Sequence, residues 1–186
     1  MKGLIVIFGC LMISVFLEGC RGLERDSIVT AYREKKVEFP DKLMILEESG
    51  LVTSALKITE FESKNTIVSI VDGSCMSCVI NQLNHVDSVL TNVFSKDQVK
   101  IYFVLNVPSG DSSYFMINLR PAIDVQSTIL WDSDYTFERT NDLITSDLNR
   151  RTFLLNSEMK IVEYGNPVWK PELFDIYFKH IRNGIE

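Results

Sequence analysis

The chain has 186 residues, 46% of them hydrophobic and 24% charged, with a formal net charge of −6 at pH 7. That length suits one domain with a sizeable core. The acidic balance and the lack of a basic run or basic–aromatic stripe argue against nucleic acid as a partner, and no internal repeat or low-complexity stretch is visible.

The N-terminus reads as a targeting segment. Lys2 supplies a positive start, and Leu4 to Phe16 is an unbroken apolar or small-residue stretch, too short for a comfortable membrane span. Leu17-Glu18-Gly19-Cys20 follows. It resembles the lipobox of bacterial lipoproteins, with Leu three positions before the Cys and Gly just before it; Glu18 departs from the small or apolar residue usual there. The resemblance implies cleavage before Cys20, lipidation of its thiol and a membrane anchor at the cell envelope, with the domain facing the periplasm or the cell exterior. In an uncleaved anchor, the rival reading, a Cys at this place has no role. The expected organisation is a signal peptide over 1–19, a tether with a short helix over 20–36 (Leu23, Ile28, Val29 and Tyr32 give the weak helical pattern), and a domain over 37–186.

Of the four cysteines, Cys10 leaves with the signal peptide and Cys20 takes the lipid, so Cys75 and Cys78 remain. No disulfide framework is available, and the fold must rest on its core. An exported setting lets a disulfide between the two persist.

Val37 to Asp41 alternates and breaks at Pro40; Lys42–Leu46 and Leu56–Phe61 read as strands around a Glu-Glu-Ser-Gly turn at 47–50. Thr66–Val71 is a buried strand. After Asp72-Gly73-Ser74 and the cysteine pair, Val79, Leu83, Val86, Leu90 and Val93 recur at spacings of four, three, four and three, one face of an amphipathic helix. Val99–Leu105 is an apolar strand, parallel to the first across the helix. A helix over Ser112 to Leu119 ends before Pro121; Thr128–Trp131 is a strand; Tyr135–Leu143 is a short helix or irregular segment. Thr152–Asn156 and Lys160–Tyr164 form a hairpin around Ser157-Glu158-Met159. Pro171 opens a last helix that buries Leu173, Phe174, Tyr177, Phe178 and Ile181.

Within this order Cys75-Met76-Ser77-Cys78 joins a strand to a helix. Such a junction sets the first sulfur at a helix N-terminus, where unpaired N–H groups and the helix dipole favour thiolate. A second thiol one turn on completes the minimum apparatus for reversible disulfide exchange.

The element order, with the stretches "TIVSIVDGSCMSC" and "RTFLLNSEMKIVEYGNP" and the final helix, resembles the thioredoxin fold from about Asn65 onward. The extra strand–helix insertion is that of TlpA/ResA-like exported oxidoreductases and of peroxiredoxins; with "EKKVEFPDKL" the chain also looks like thioredoxin-like lipoproteins of Gram-negative bacteria. The resemblance implies an α/β, thioredoxin-like fold, with a central mixed sheet flanked by helices and an N-terminal β extension. It assigns Cys75 as the attacking and Cys78 as the resolving cysteine. Three positions depart from thioredoxins: Ser74 replaces the Trp before the first Cys, Ser69 replaces the buried acid on the preceding strand, and Arg151 replaces the cis-proline before the hairpin strand. A trans bond is expected at Arg151, because a non-proline cis bond costs about 2.5–4 kcal/mol. Facing the CxxC turn, its guanidinium would favour the Cys75 thiolate; pointing to solvent, the rival reading, it merely marks a degenerate site.

Other chemistries find less support. His85 lies seven residues beyond Cys78 on the same helix, roughly 10 Å along the axis, whereas two ligands of one zinc stand about 4 Å apart. His85 therefore reads as a surface or partly buried helix residue, and His180 as a helix C-terminal residue. Where peroxiredoxins carry Pro and Thr or Ser before the peroxidatic Cys, this chain has Val68 and Asp72. Trp131 and Trp169 read as packing residues, and Asp132 and Asp134 as a solvated turn. No organic cofactor is implied, because the electrons reside in the thiol pair. The expected partners are thiols and disulfides of exported proteins and a redox partner that resets each turnover. The rival reading is a thioredoxin scaffold used without catalysis, as a binding or assembly lipoprotein.

Overall fold

The computed structural model describes residues 33–47, 50–52, 64–73, 76–143 and 146–183. The fold belongs to the unit Glu34–Glu186; of the preceding unit, Met1–Arg33, only Arg33 is described. The targeting segment, Cys20, and the strand expected at Leu56–Phe61 all lie outside the described residues.

Among the described residues, seven strands form one sheet. They are β1 (Met44–Glu47), β2 (Gly50–Val52), β3 (Asn65–Asp72), β4 (Val99–Asn106), β5 (Thr128–Asp132), β6 (Thr152–Leu155) and β7 (Ile161–Tyr164), in the spatial order β2-β1-β5-β4-β3-β6-β7. The helices are α1 (Met76–Val93), α2 (Ser112–Asn118), α3 (Thr136–Thr140) and α4 (Leu173–Asn183). β3, β4 and β5 run parallel, with β3 and β4 in register from Asn65↔Val99 to Asp72↔Asn106. β6 pairs antiparallel with β3, β7 with β6, and β1 with β5.

β3 is rich in β-branched residues and is buried from Asn65 to Val71, as a strand covered on both faces requires. Its side chains alternate between two apolar layers. Ile67 and Val71 join Phe103, Leu105, Ile129 and Leu154 under α1 and α4. Val68 and Ile70 join Tyr102, Val104, Leu130, Phe153 and Leu155 on the other face, under Phe137 of α3 and the N-terminal residues Val37 and Leu43. The helical stripe read from the sequence is the buried one: Val79, Leu83, Val86 and Leu90 are fully covered, and only Val93 emerges. On α4 the buried residues are Leu173, Tyr177 and Ile181, with the Tyr177 hydroxyl donating to Gly165 O at 2.8 Å.

The N-terminal extension is a hairpin, β1 with β2, whose second strand already starts at Gly50. Before it, Val37 N donates to Met159 O at 2.8 Å and Ile161 N to Lys35 O at 3.0 Å, which lays residues 35–37 along the edge of β7.

Candidate functional site

The cysteine motif straddles the junction of β3 and α1. Ser74 and Cys75 lie outside the described residues; Cys78 lies in the first turn of α1. What the structure describes is the frame around them. Gly73, just past β3, donates its N–H to Asn106 O at 2.6 Å. A Cβ at this position would sit 2.4 Å from that oxygen and 2.6 Å from Val107 Cγ2, so only glycine allows so close an approach to the end of β4. The motif therefore starts from a backbone point fixed to the centre of the sheet.

Beside it, Ser69 and Thr152 face each other in the β3–β6 register, their hydroxyls 2.9 Å apart and buried. Where thioredoxins carry a buried acid, this chain has a neutral hydroxyl pair. Arg151 precedes β6. Its carbonyl accepts from Ile70 N at 2.7 Å, and its Nη2 lies 3.6 Å from Asp72 Oδ2, at the end of β3. Both side chains keep some exposure, so the pair is a weak one. Among the described residues no peptide bond is cis.

A polar rim continues along the strand ends. Asn106 is buried and its Nδ2 donates to Glu138 Oε2, while its Oδ1 has no partner among the described residues. Tyr135 takes the left-handed conformation, φ 54°, directly before α3. Its phenol is held above the ordinary 10.0, first by desolvation and then by the nearby carboxylates of Asp72 and Glu138, with Arg151 opposing. Asp132 corrects the sequence reading. It is buried, and its Oδ2 accepts from Phe137 N at 2.7 Å, capping α3 from five residues upstream. Sequence inspection also missed Asp87 of α1, whose carboxylate accepts from Gln126 N at 2.7 Å and Ser127 N at 3.2 Å and pins the approach to β5.

A second correction concerns Trp169. Trp131 is 3% exposed and packs edge-on against Phe115 at 5.0 Å, as a packing residue should. Trp169 is 56% exposed, its ring centroid 5.3 Å from that of His85. Together with Asn81, Gln82, Leu148 and Thr152 these two line a cleft of about 650 Å³. No group of three or more His, Cys, Asp or Glu residues that could hold a metal ion occurs among the described residues. Nor is any described helix long and apolar enough to cross a membrane.

No protein-family model matches the sequence, and no curated protein matches it. Solved structures do match. A protein assigned as thiol:disulfide interchange protein DsbE from Chlorobium tepidum aligns with a TM-score of 0.56 at 14% identity, over 80% of this chain and 97% of that one. An uncharacterised thioredoxin-like protein from Porphyromonas gingivalis aligns at 0.52 with 16% identity, over 81% and 95%. The mitochondrial 2-Cys peroxiredoxin of Plasmodium falciparum aligns at 0.55 with 11% identity, over 82% and 97%. Proteins with different names thus share one architecture with this chain, and at these identities the likeness speaks for architecture alone. With a mixed sheet flanked by helices and the β3–α1–β4 and β6–β7–α4 units in place, the chain has a thioredoxin-like fold.

Proposed function

We propose that the protein is a thiol–disulfide oxidoreductase of the cell envelope, anchored through a lipid on Cys20 and acting on exported proteins. The observation that carries the reading is the CxxC sequence at the junction of β3 and α1 in a thioredoxin-like fold. The similar fold of a protein assigned to thiol:disulfide interchange supports the same reading. The peroxidase alternative lacks its Pro and Thr or Ser before the first cysteine.

In the proposed reaction the Cys75 thiolate attacks one sulfur of a substrate disulfide. The substrate S–S bond breaks, a mixed disulfide forms, and the departing sulfur takes up a proton. Cys78, as thiolate, then attacks the Cys75 sulfur and releases the second substrate thiolate, which is protonated in turn. Two electrons have passed to the substrate, and Cys75 and Cys78 end as a disulfide that a partner dithiol must reduce. With a disulfide-donating partner the same steps run in reverse.

One observation favours the non-enzymatic reading, a scaffold for binding or assembly: the neutral Ser69–Thr152 pair offers no acid or base for proton transfer. Insulin reduction with a dithiol donor separates the two readings. Wild type should accelerate precipitation of the insulin chains and Cys75→Ser should not. Equal, background-level rates for both would remove the catalytic reading.

A further inference from the structure

We propose that the cavity between β1 and the loop leading into β5 binds a short peptide with free termini and an apolar side chain, its carboxylate on Arg120 and its ammonium at Glu47 and Asp124. None of these residues belongs to the cysteine motif, and the proposal does not depend on the oxidoreductase reading. Three observations carry it.

The first is an unsatisfied cation. Arg120 stands in a short 3₁₀ turn, Arg120–Ala122, after α2. Its Nε is buried without a partner, and its Nη1 reaches only Ile123 O, at 3.4 Å. Among the described residues it enters no ion pair. A guanidinium carries five donors in a fixed fork, and a carboxylate meets two of them at once. A half-buried charge with so few partners is costly, and an incoming carboxylate would relieve it.

The second is the lining. The cavity holds about 520 Å³, within the range of sites that enclose small ligands. Leu46, Ile123 and Ile129 are buried and form an apolar floor, while Glu47 and Asp124 are exposed and stand at the rim. Neither carboxylate pairs with Arg120, so opposite charges face one cavity without meeting. A purely anionic ligand would meet two carboxylates for one guanidinium. A purely cationic one would leave Arg120 unmet. A molecule with one charge of each sign at its ends and an apolar group between them suits all three features. A short peptide has that layout. In a free amino acid both charges sit on one carbon, too close together to bridge groups that fail to reach each other.

The third is the rigidity of the wall. The loop from Ala122 to Ser127 is tied to α1 through four backbone groups. Asn84 Nδ2 donates to Ala122 O at 3.0 Å, and Asn84 Oδ1 accepts from Asp124 N at 3.0 Å. The buried carboxylate of Asp87 accepts from Gln126 N and Ser127 N. All four bonds use the main chain of the loop. The wall that presents Ile123 and Asp124 is thus shaped before a ligand arrives, which lowers the ordering cost of binding.

The test is calorimetry with leucyl-leucine as the probe. Wild type should give a saturable heat and a melting temperature that rises with the dipeptide. Acetylating the amino end or amidating the carboxyl end should each weaken binding about tenfold or more. Glycyl-glycine, without an apolar side chain, and free leucine should both bind more weakly than leucyl-leucine. Arg120→Met should reduce binding of leucyl-leucine to the level of the amidated dipeptide and leave binding of the amidated dipeptide unchanged. Glu47→Gln with Asp124→Asn, both on exposed side chains, should do the same for the acetylated dipeptide. Four outcomes overturn the proposal: no saturable heat, equal binding of free and blocked dipeptides, free leucine binding as tightly as the dipeptide, or an Arg120→Met variant that weakens free and amidated dipeptides alike. The last would make Arg120 a structural residue of the turn.

Discussion

Replacing Gly73 by alanine tests the frame of the candidate site directly. Glycine to alanine at a compatible position stabilises by about 0.4–1 kcal/mol, because the unfolded chain loses freedom. Here the added Cβ would lie 2.4 Å from Asn106 O, a backbone atom that cannot rotate away, and 2.6 Å from Val107 Cγ2. Overpacking of this kind costs about 1–3 kcal/mol. Parting the two chains also weakens the 2.6 Å hydrogen bond from Gly73 N to Asn106 O, worth about 0.5–1.5 kcal/mol. Clash outweighs entropy, and a net loss of about 1–3 kcal/mol is expected. Urea unfolding should show a lower midpoint at unchanged slope, with a fall of roughly 2–4 °C in melting temperature per kcal/mol. Gly110→Ala is the control: nothing lies within 4 Å of its added Cβ, so it should be neutral or stabilising. If both variants behaved alike, the close approach at Gly73 would not be what holds the turn.

Arg151→Ala should move the pH profile of Cys75 alkylation to higher pH, and Arg150→Ala should not; because Asp72 shares the Arg151 charge, Asp72→Asn should move it the other way. An unchanged profile in Arg151→Ala would strengthen the non-enzymatic reading. Tyr177→Phe should cost about 1 kcal/mol for the buried hydrogen bond to Gly165 O. Burial lifts the Tyr177 phenol well above 10.0, so its contribution is whole below pH 10 and drains away as pH rises further. Tyr177→Phe should therefore flatten the alkaline arm of the stability profile, as read by denaturant titrations at stepped pH. Asp132→Ala removes the cap on Phe137 N and should cost about 1–2 kcal/mol in the same assay. Metabolic labelling with a fatty-acid analogue should mark wild type and leave Cys20→Ser unlabelled and unprocessed; equal labelling would remove the lipoprotein reading.

The parts of the fold legible in the sequence are those where periodicity and burial coincide. The Val79–Leu83–Val86–Leu90 stripe fixes both the extent and the facing of α1, and the β-branched run of β3 can be read as central because both its faces are apolar. The hairpin turn at Ser157 to Met159 also reads through, with Met159 taking the left-handed position at φ 64°. Pairing across long distances does not read through. Asp132 looks like any solvated turn residue until its oxygen is seen on Phe137 N, and Asp87 looks like a surface helix position until the loop at Gln126 and Ser127 closes on it. Trp169 shows the reverse failure: its size signals burial, but it stands at a loop, more than half exposed, with its ring against that of His85. At the site, the sequence shows that Ser69 is no acid; that it meets Thr152 depends on the β3–β6 register, which no local pattern carries.

The β3–β4 ladder, extended by the Gly73 amide onto Asn106 O, bears on how the molecule opens. Amides at the centre of a sheet exchange with solvent only in the rarest, most global openings, whereas rim segments exchange through small local ones. Gly73 belongs by hydrogen bonding to the first class although it sits at the lip of the candidate site. Deuterium uptake should therefore be as slow at Gly73 as at Ile70, and should stay so whether the adjoining thiols are oxidised or reduced. The chemistry proposed for this end of the sheet would then be cycled against a fixed anvil, with any rearrangement confined to the helix side of the turn.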